Sequence, residues 1–458
     1  MTGTGRMLAM SGAETKGQDP STSLTRPARR EIAEAAWHGL FWLAGANAVG
    51  AMLAVLLLVP AGNRLLGEWT YGRWMMVHMN LELYGWTSLP LVGFLFRAYD
   101  VPRTALARWQ RPALCVWSVA LAVGCLSWLE GHSSGKLFLD WTGYSRVLFA
   151  VALLGVWLVL LGAWIEQSFA RDATRMAAWF ARLAGLLVLV AVPVVLYLAS
   201  GPDSYPAVNP DTGGPTGASQ LESSLAIVLI VLMLPLGIAR RVRGRDKAVW
   251  PAWLALVAET VLCAALDHGD ISHRRPAQYL SLGCLLIWVP LTPAYYRAFA
   301  WHDATRQWRR AFLGWWGVLV VSGWVFFLPG VLDHFKFTDG LVGHSFVAMA
   351  GFTSSLILFV LVQMLGEDAW VLNRARSFHL WNWSVVAYVI VVTIAGWREG
   401  SDPAFTIVSG AARNALYVLR LLSGVLMLIA SVDWLIDTTA LLRVPAEVHD
   451  RSAREKTA

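Results

Sequence analysis

Residues 342–366 read VGHSFVAMAGFTSSLILFVLVQMLG. The stretch contains no Asp, Glu, Lys or Arg. As a helix rising about 1.5 Å per residue it outreaches the roughly 30 Å hydrocarbon core of a bilayer. A backbone in lipid must satisfy its own hydrogen bonds, so this stretch predicts a membrane-spanning helix. Working outward, similar runs occur at 35–60, 74–96, 113–129, 145–169, 176–200, 219–238, 249–266, 277–299, 311–332, 380–397 and 414–442. Together they predict an all-α integral membrane protein, a twelve-transmembrane-helix bundle over residues 35–443. A disordered cytoplasmic tail is expected at 1–34 and a second cytoplasmic tail at 444–458. No internal repeat is visible in the sequence, so one continuous membrane domain is expected.

Composition leads the same way. Of 458 residues, 57% are hydrophobic and only 15% charged, where a soluble domain carries about 25% charge. Mean hydropathy is +0.52. A soluble enzyme, a secreted disulfide scaffold and a disordered chain are excluded. Many of the 25 Trp sit near the ends of apolar runs, as in the aromatic belts of membrane interfaces. The four Cys show no CxxC spacing and read as buried thiols. The first thirty residues lack the apolar core of a signal peptide, so the first span is expected to direct insertion.

The net charge of +7 is a topology signal rather than a nucleic-acid one. Counted over alternate connections and tails, 26 of the 37 Lys and Arg fall on one side and 9 on the other. The positive-inside rule then places both termini in the cytoplasm, and the alternation requires an even number of spans. The expected location is a bacterial-type cytoplasmic (inner) membrane, with membrane lipid as the partner and no nucleic acid. On this topology His78 opens the second span, His268 closes the seventh and His344 opens the tenth, all toward the outer face. Polar groups at membrane depth are costly and usually face the bundle interior or a site, and His is a frequent haem and metal ligand.

The residues around these histidines resemble a known family. Phe337-Thr338-Asp339 leading into Gly343-His344, followed by small residues and Gly351-Phe352, resembles the tenth helix of haem-copper oxidase subunit I. The likeness is closest to the C-type cytochrome oxidases and the nitric oxide reductase catalytic subunit. Arg73 with His78 and Asn80 resembles the opening of that family's second helix. Lys136 to Arg146, with Asp140-Trp141, is similar to its loop before the fourth helix. Asp267-His268 through Pro276 to Leu282-Gly283 is similar to its copper-ligand region.

Carried over, the resemblance implies a divergent member with an incomplete ligand set. His78 matches the low-spin haem ligand, but Phe346 stands where its partner His would be. His344 matches the proximal ligand of the high-spin haem. His268 matches one copper ligand, but Gly269 follows it, the sixth span has no His, and the redox-active Tyr has no counterpart. Haem is therefore expected at His344, at His78 or at each, and copper is not. Met79 or Met349 could replace a lost axial ligand. Ordinary oxidase turnover is not expected, since oxygen reduction and nitric oxide coupling in that family need a second metal facing the iron.

The expected function is respiratory electron transfer or oxygen and nitric oxide handling, with cytochrome c or other respiratory subunits as partners. Two other readings compete: a non-catalytic, cofactor-poor scaffold or assembly partner of a respiratory complex, and a proton channel or transporter. The last would use the intramembrane carboxylates Glu82, Glu222 and Glu259 as a proton path.

Overall fold

A computed structural model describes residues 26–169, 176–205, 207–408 and 410–443. The expected spans are met in order by twelve helical segments, named below the first to twelfth helices: Arg26–Leu58, 71–98, Ala107–Leu129, Gly143–Phe169, 176–199, Gly217–Ile238, Trp250–Ala264, Pro276–Tyr296, Arg306–Phe327, 339–365, Ala375–Ser401 and Ala411–Arg443. The first helix starts at Arg26, well before the expected 35. Most of the expected N-terminal tail and all of residues 444–458 lie outside the described residues.

Among the described residues, ten helices are long and apolar enough to cross a membrane. The second helix and the seventh are the exceptions. The second carries Arg73, His78, Asn80 and Glu82, which dilute its apolar character. The seventh has 15 residues, short of the roughly 20 that span a bilayer. The fold is an all-α membrane bundle. The only strands among the described residues are the two-residue pair Arg240–Arg241 and Phe299–Ala300.

Polar ties between connections divide the bundle into two ends. At the end where the first helix starts and the twelfth stops, Arg30 donates to the Leu442 carbonyl at 3.1 Å. Arg29 pairs there with Asp368, Arg374 pairs with Asp437 at 2.8 Å, and the Ala105 amide donates to Glu166. At the other end, called distal here, Arg73 donates to the Leu129 carbonyl and Arg413 to the Leu57 carbonyl. Also distal, Lys136 donates to the carbonyls of Ala199, Gly201 and Ser204, and Arg274 pairs with Asp333. Each of these ties joins connections of the same end, as alternating passes require.

The core lies in two parts. One packs the second to fifth helices around Trp117, Trp128, Trp141 and Phe149, with the Trp141 and Phe149 rings stacked at 4.1 Å. The other packs the first and the sixth to twelfth helices around the tenth, which is the most buried of the candidate spans. The tenth ends at Gly366, whose φ of +58° is accessible to glycine at little cost.

Candidate functional site

The second and tenth helices share a backbone peculiarity. Each is α-helical through its histidine and then passes through a π-helical stretch, Leu81–Thr87 in the second and Val347–Thr353 in the tenth. Both stretches begin three residues after the histidine and run seven residues. π-Turns inside α-helices concentrate at functional sites.

The sequences that make them correspond. His78 is followed at +7 to +10 by Gly85-Trp86-Thr87-Ser88, and His344 by Gly351-Phe352-Thr353-Ser354. The serine has a physical task. A π-turn disturbs the ladder of backbone bonds, and a buried carbonyl needs a donor. Ser88 donates to the Leu83 carbonyl at 2.8 Å and Ser354 to the Met349 carbonyl at 2.9 Å, each five residues back. The glycine has one too. A Cβ at Gly85 would lie 2.9 Å from Trp42 Cγ, and one at Gly351 would lie 2.7 Å from Trp315 Cδ2.

The neighbouring helices correspond as well. Eight residues after each tryptophan comes a glycine, Gly50 or Gly323, that faces the histidine. A Cβ on Gly50 would lie 2.8 Å from His78 Cε1, and one on Gly323 would lie 3.3 Å from His344 Cε1. The first and second helices and the ninth and tenth are thus two copies of one local frame. No repeat is visible in the sequence itself. The likeness is a few residues set wide apart, which a scan for contiguous similarity passes over.

Within the frames both imidazoles are held by Nδ1, His78 to the Ala46 carbonyl at 2.8 Å and His344 to Ser322 Oγ at 3.1 Å. That leaves Nε2 available, the arrangement typical of a metal-ligating histidine. What lies beyond Nε2 differs. The +4 residue is Glu82 after His78, and its Oε1 stands 3.7 Å from Nε2. On the far side of Glu82 lies a void of only about 10 Å³, among Asn47, Phe346 and Met349, room for one water at most. The Phe346 ring stacks on Tyr388 at 3.8 Å. Tyr388 Oη accepts from Arg420 Nε at 3.0 Å, and Arg420 pairs with Asp339 at 2.9 Å.

After His344 the +4 residue is Ala348, and both line a cavity of about 370 Å³ between the sixth, eighth, ninth and tenth helices, within the size range of small-molecule sites. Three tryptophans wall it, and each uses its indole N–H elsewhere: Trp288 on Glu259 at 2.7 Å, Trp316 on the Trp288 carbonyl, Trp324 on the Tyr279 carbonyl. They therefore offer the cavity apolar ring faces. Gln220, Ser223 and Ser224 add a polar stripe, and Lys336 stands at the distal mouth.

A haem fits this donor set at His344: one free imidazole nitrogen, a recess that a Cβ at Gly323 would crowd, flat apolar walls, and a cation for a carboxylate at the mouth. A haem does not fit at His78, where Glu82 and Phe346 occupy the space. A second metal does not fit either. Among the described residues, His344 is the only His, Cys, Asp or Glu lining the cavity, and no group of three such residues could hold a metal.

The other anticipated residues lie apart. His268 falls beyond the end of the seventh helix, is exposed, and bonds to the Cys263 carbonyl at 2.8 Å. The structure does not bring it to the cavity. Glu222 is exposed on the sixth helix. Glu259 is buried and committed to Trp288, behind the cavity wall. Met349 borders the small void.

No family model matches the chain. It is 22% identical over 441 residues to cytochrome c oxidase subunit 1 of Rhodobacter capsulatus, an alignment covering 86% of this chain and 81% of that protein. This supports a haem-copper oxidase-like, multi-pass membrane protein.

Proposed function

We propose that this protein is a divergent haem-copper oxidase subunit I-like protein that binds one haem at His344 and handles a diatomic gas, oxygen or nitric oxide, in a respiratory membrane. The observation that carries it is the pair of like frames, of which only the one at His344 opens onto a cavity. In this reading His344 Nε2 would hold the iron, and the Ser322 contact fixes the ring orientation. Lys336 at the mouth would pair with a carboxylate of the group, and the indole faces exclude water. The group would supply an iron able to bind a gas. Electron entry through a second, six-coordinate haem has no place here, which argues against oxidase turnover. Twelve crossings with both termini on the basic, cytoplasmic side complete the proposal, in a bacterial inner membrane beside other respiratory subunits.

Glu82 is the one anticipated carboxylate beside an imidazole and a water-sized void, which supports a second role for the His78 frame as a proton-holding pair.

The test is haem and copper content after expression with haem supplied. Pyridine haemochrome should give one haem per chain, kept in His78→Ala and lost in His344→Ala, with copper far below one per chain. Two haems per chain, a Soret band that survives His344→Ala, or stoichiometric copper would refute the assignment. No haem at all would leave the cofactor-poor scaffold as the surviving reading.

A further inference from the structure

The outer face of the eleventh and twelfth helices carries an open groove of about 430 Å³. Its lining positions on the eleventh helix, from 376 through 379, 380, 383 and 384 to 387, recur every three or four residues and so form one helical face. Ser384 and Ala387, with Ser423 of the twelfth helix, are small and make the floor. Leu380, Trp383 and Leu426 make the walls, and Trp383 is 68% exposed.

The groove covers half of the membrane. Arg376 is the second residue of the eleventh helix, and Ala387 lies eleven residues on, about 16 Å along the axis. The hydrocarbon core is roughly 30 Å thick. The groove therefore runs from the interface at the Arg30 end to the middle of the bilayer, the span of one leaflet. A partner helix or a second copy of the chain would need a face running the full depth, whereas a lipid chain needs only this.

Charge marks the shallow end. The Arg376 side chain is 73% exposed, and its partner Asp433 lies 3.9 Å away, beyond hydrogen-bond reach. Asp433 accepts instead from Ser377 Oγ at 3.2 Å. The neighbouring Arg374 is committed to Asp437 at 2.8 Å. His379, one turn in, is exposed and makes no hydrogen bond among the described residues. The mouth thus holds a guanidinium and an imidazole with donors unspent, beside a carboxylate that accepts one neutral hydrogen bond. Two Arg against two Asp leave no surplus of charge, which suits a headgroup carrying both signs.

We infer that this groove binds one phospholipid with a zwitterionic, primary-amine headgroup. Its phosphate lies on Arg376 and His379, its ammonium on Asp433, and one acyl chain runs between Trp383 and Leu426 toward Ala387. A guanidinium fork matches phosphate, and an ammonium donates to a carboxylate, which a quaternary amine cannot do. The groove shares no lining residue with the His344 cavity, so this site is tested apart from the haem reading.

The test is photocrosslinking of the full-length protein in mixed micelles, mapped by mass spectrometry. The probe is a phosphatidylethanolamine with a diazirine in one acyl chain. Crosslinks should concentrate on residues 376–387 and 423–426. Unlabelled phosphatidylethanolamine should compete for them several-fold better than phosphatidylcholine or phosphatidylglycerol. Arg376→Gln should lower the yield there to about a tenth, through loss of charge-assisted hydrogen bonds. Ala387→Trp fills the deep end without touching a charge and should lower the yield at 423–426 several-fold, in protein shown to be folded by size exclusion. Arg108→Gln removes another exposed cation of the same end and should change nothing. Crosslinks spread evenly over the lipid-facing helices, equal competition by all three lipids, displacement by a short-chain quinol at lower concentration than by phospholipid, or a yield indifferent to both groove variants would overturn the proposal.

Discussion

The ion pair of Arg420 and Asp339 gives the sharpest stability test, because it is buried and tied to the Tyr388 hydroxyl behind the Phe346 stack. Their side chains are 9% and 14% exposed. Arg420 makes two contacts to the carboxylate, at 2.9 and 3.0 Å, and a third to Tyr388. Removing one partner of such a pair costs about 3–5 kcal/mol, because the other is left buried and unpaired. The two single variants should not be equal. An orphaned carboxylate can take up a proton, whereas a guanidinium cannot lose one. Asp339→Asn should therefore cost the full amount, plus the roughly 0.3–1 kcal/mol its charge contributes at the start of a helix. Arg420→Met should cost clearly less. The double variant should recover much of the loss, leaving an interaction energy of about 2–3 kcal/mol. Unfolding of all four proteins in lipid–detergent micelles titrated with a denaturing detergent, followed by tryptophan fluorescence, measures the cycle. Additive single costs, or Arg420→Met costing more than Asp339→Asn, would refute the reasoning.

Ala348→Glu should copy the His78 frame onto the tenth helix and lower the haem content to about a tenth or less, with no loss of folded protein on size exclusion, since the added side chain fills the space beyond Nε2 that the ligand needs. Gly351→Ala and Gly85→Ala should each destabilise the chain by about 1–3 kcal/mol, because the added methyl meets a packed indole; denaturant midpoints check this. Lys136→Met leaves three carbonyls without their donor and should cost about 2 kcal/mol, with faster amide exchange confined to residues 199–205.

The helical passes were legible because twenty or so apolar residues in lipid have one backbone solution, and charge asymmetry marks alternate connections. Their ends were less so: the first helix runs back to Arg26 through RPARREIAE, where three Arg and two Glu mask the buried Ile32 and Ala33. His78 and His344 stand out from their surroundings in the sequence, and each is held by Nδ1, but Glu82 faces Nε2 of His78 alone. Glu82 was read as a proton carrier, but its larger effect is steric, at the one helical turn where Ala348 leaves space. Phe346 was seen as a lost ligand; its stacking on Tyr388 required knowing that Arg420 and Asp339 meet 81 residues apart in sequence. His273 has no ligand spacing in the sequence, and it meets Asp211 and Asp333 only because three connections converge.

The two frames also bear on why His78 persists without room for iron. Its Nδ1 bond to Ala46 pins the first helix to the second at the depth where a side chain on Gly50 would collide with the ring. Removing the imidazole would open a void against Gly50 and leave Glu82 facing apolar side chains, so the residue is needed for packing whether or not it binds a metal. In the other frame the corresponding bond to Ser322 leaves His344 at the edge of a cavity, where packing asks nothing of Nε2. A histidine whose second nitrogen does no structural work, inside a recess shaped by glycine, indole and serine, is better explained by a ligand than by the fold. The asymmetry between two otherwise equal frames is therefore the strongest argument for one site rather than two.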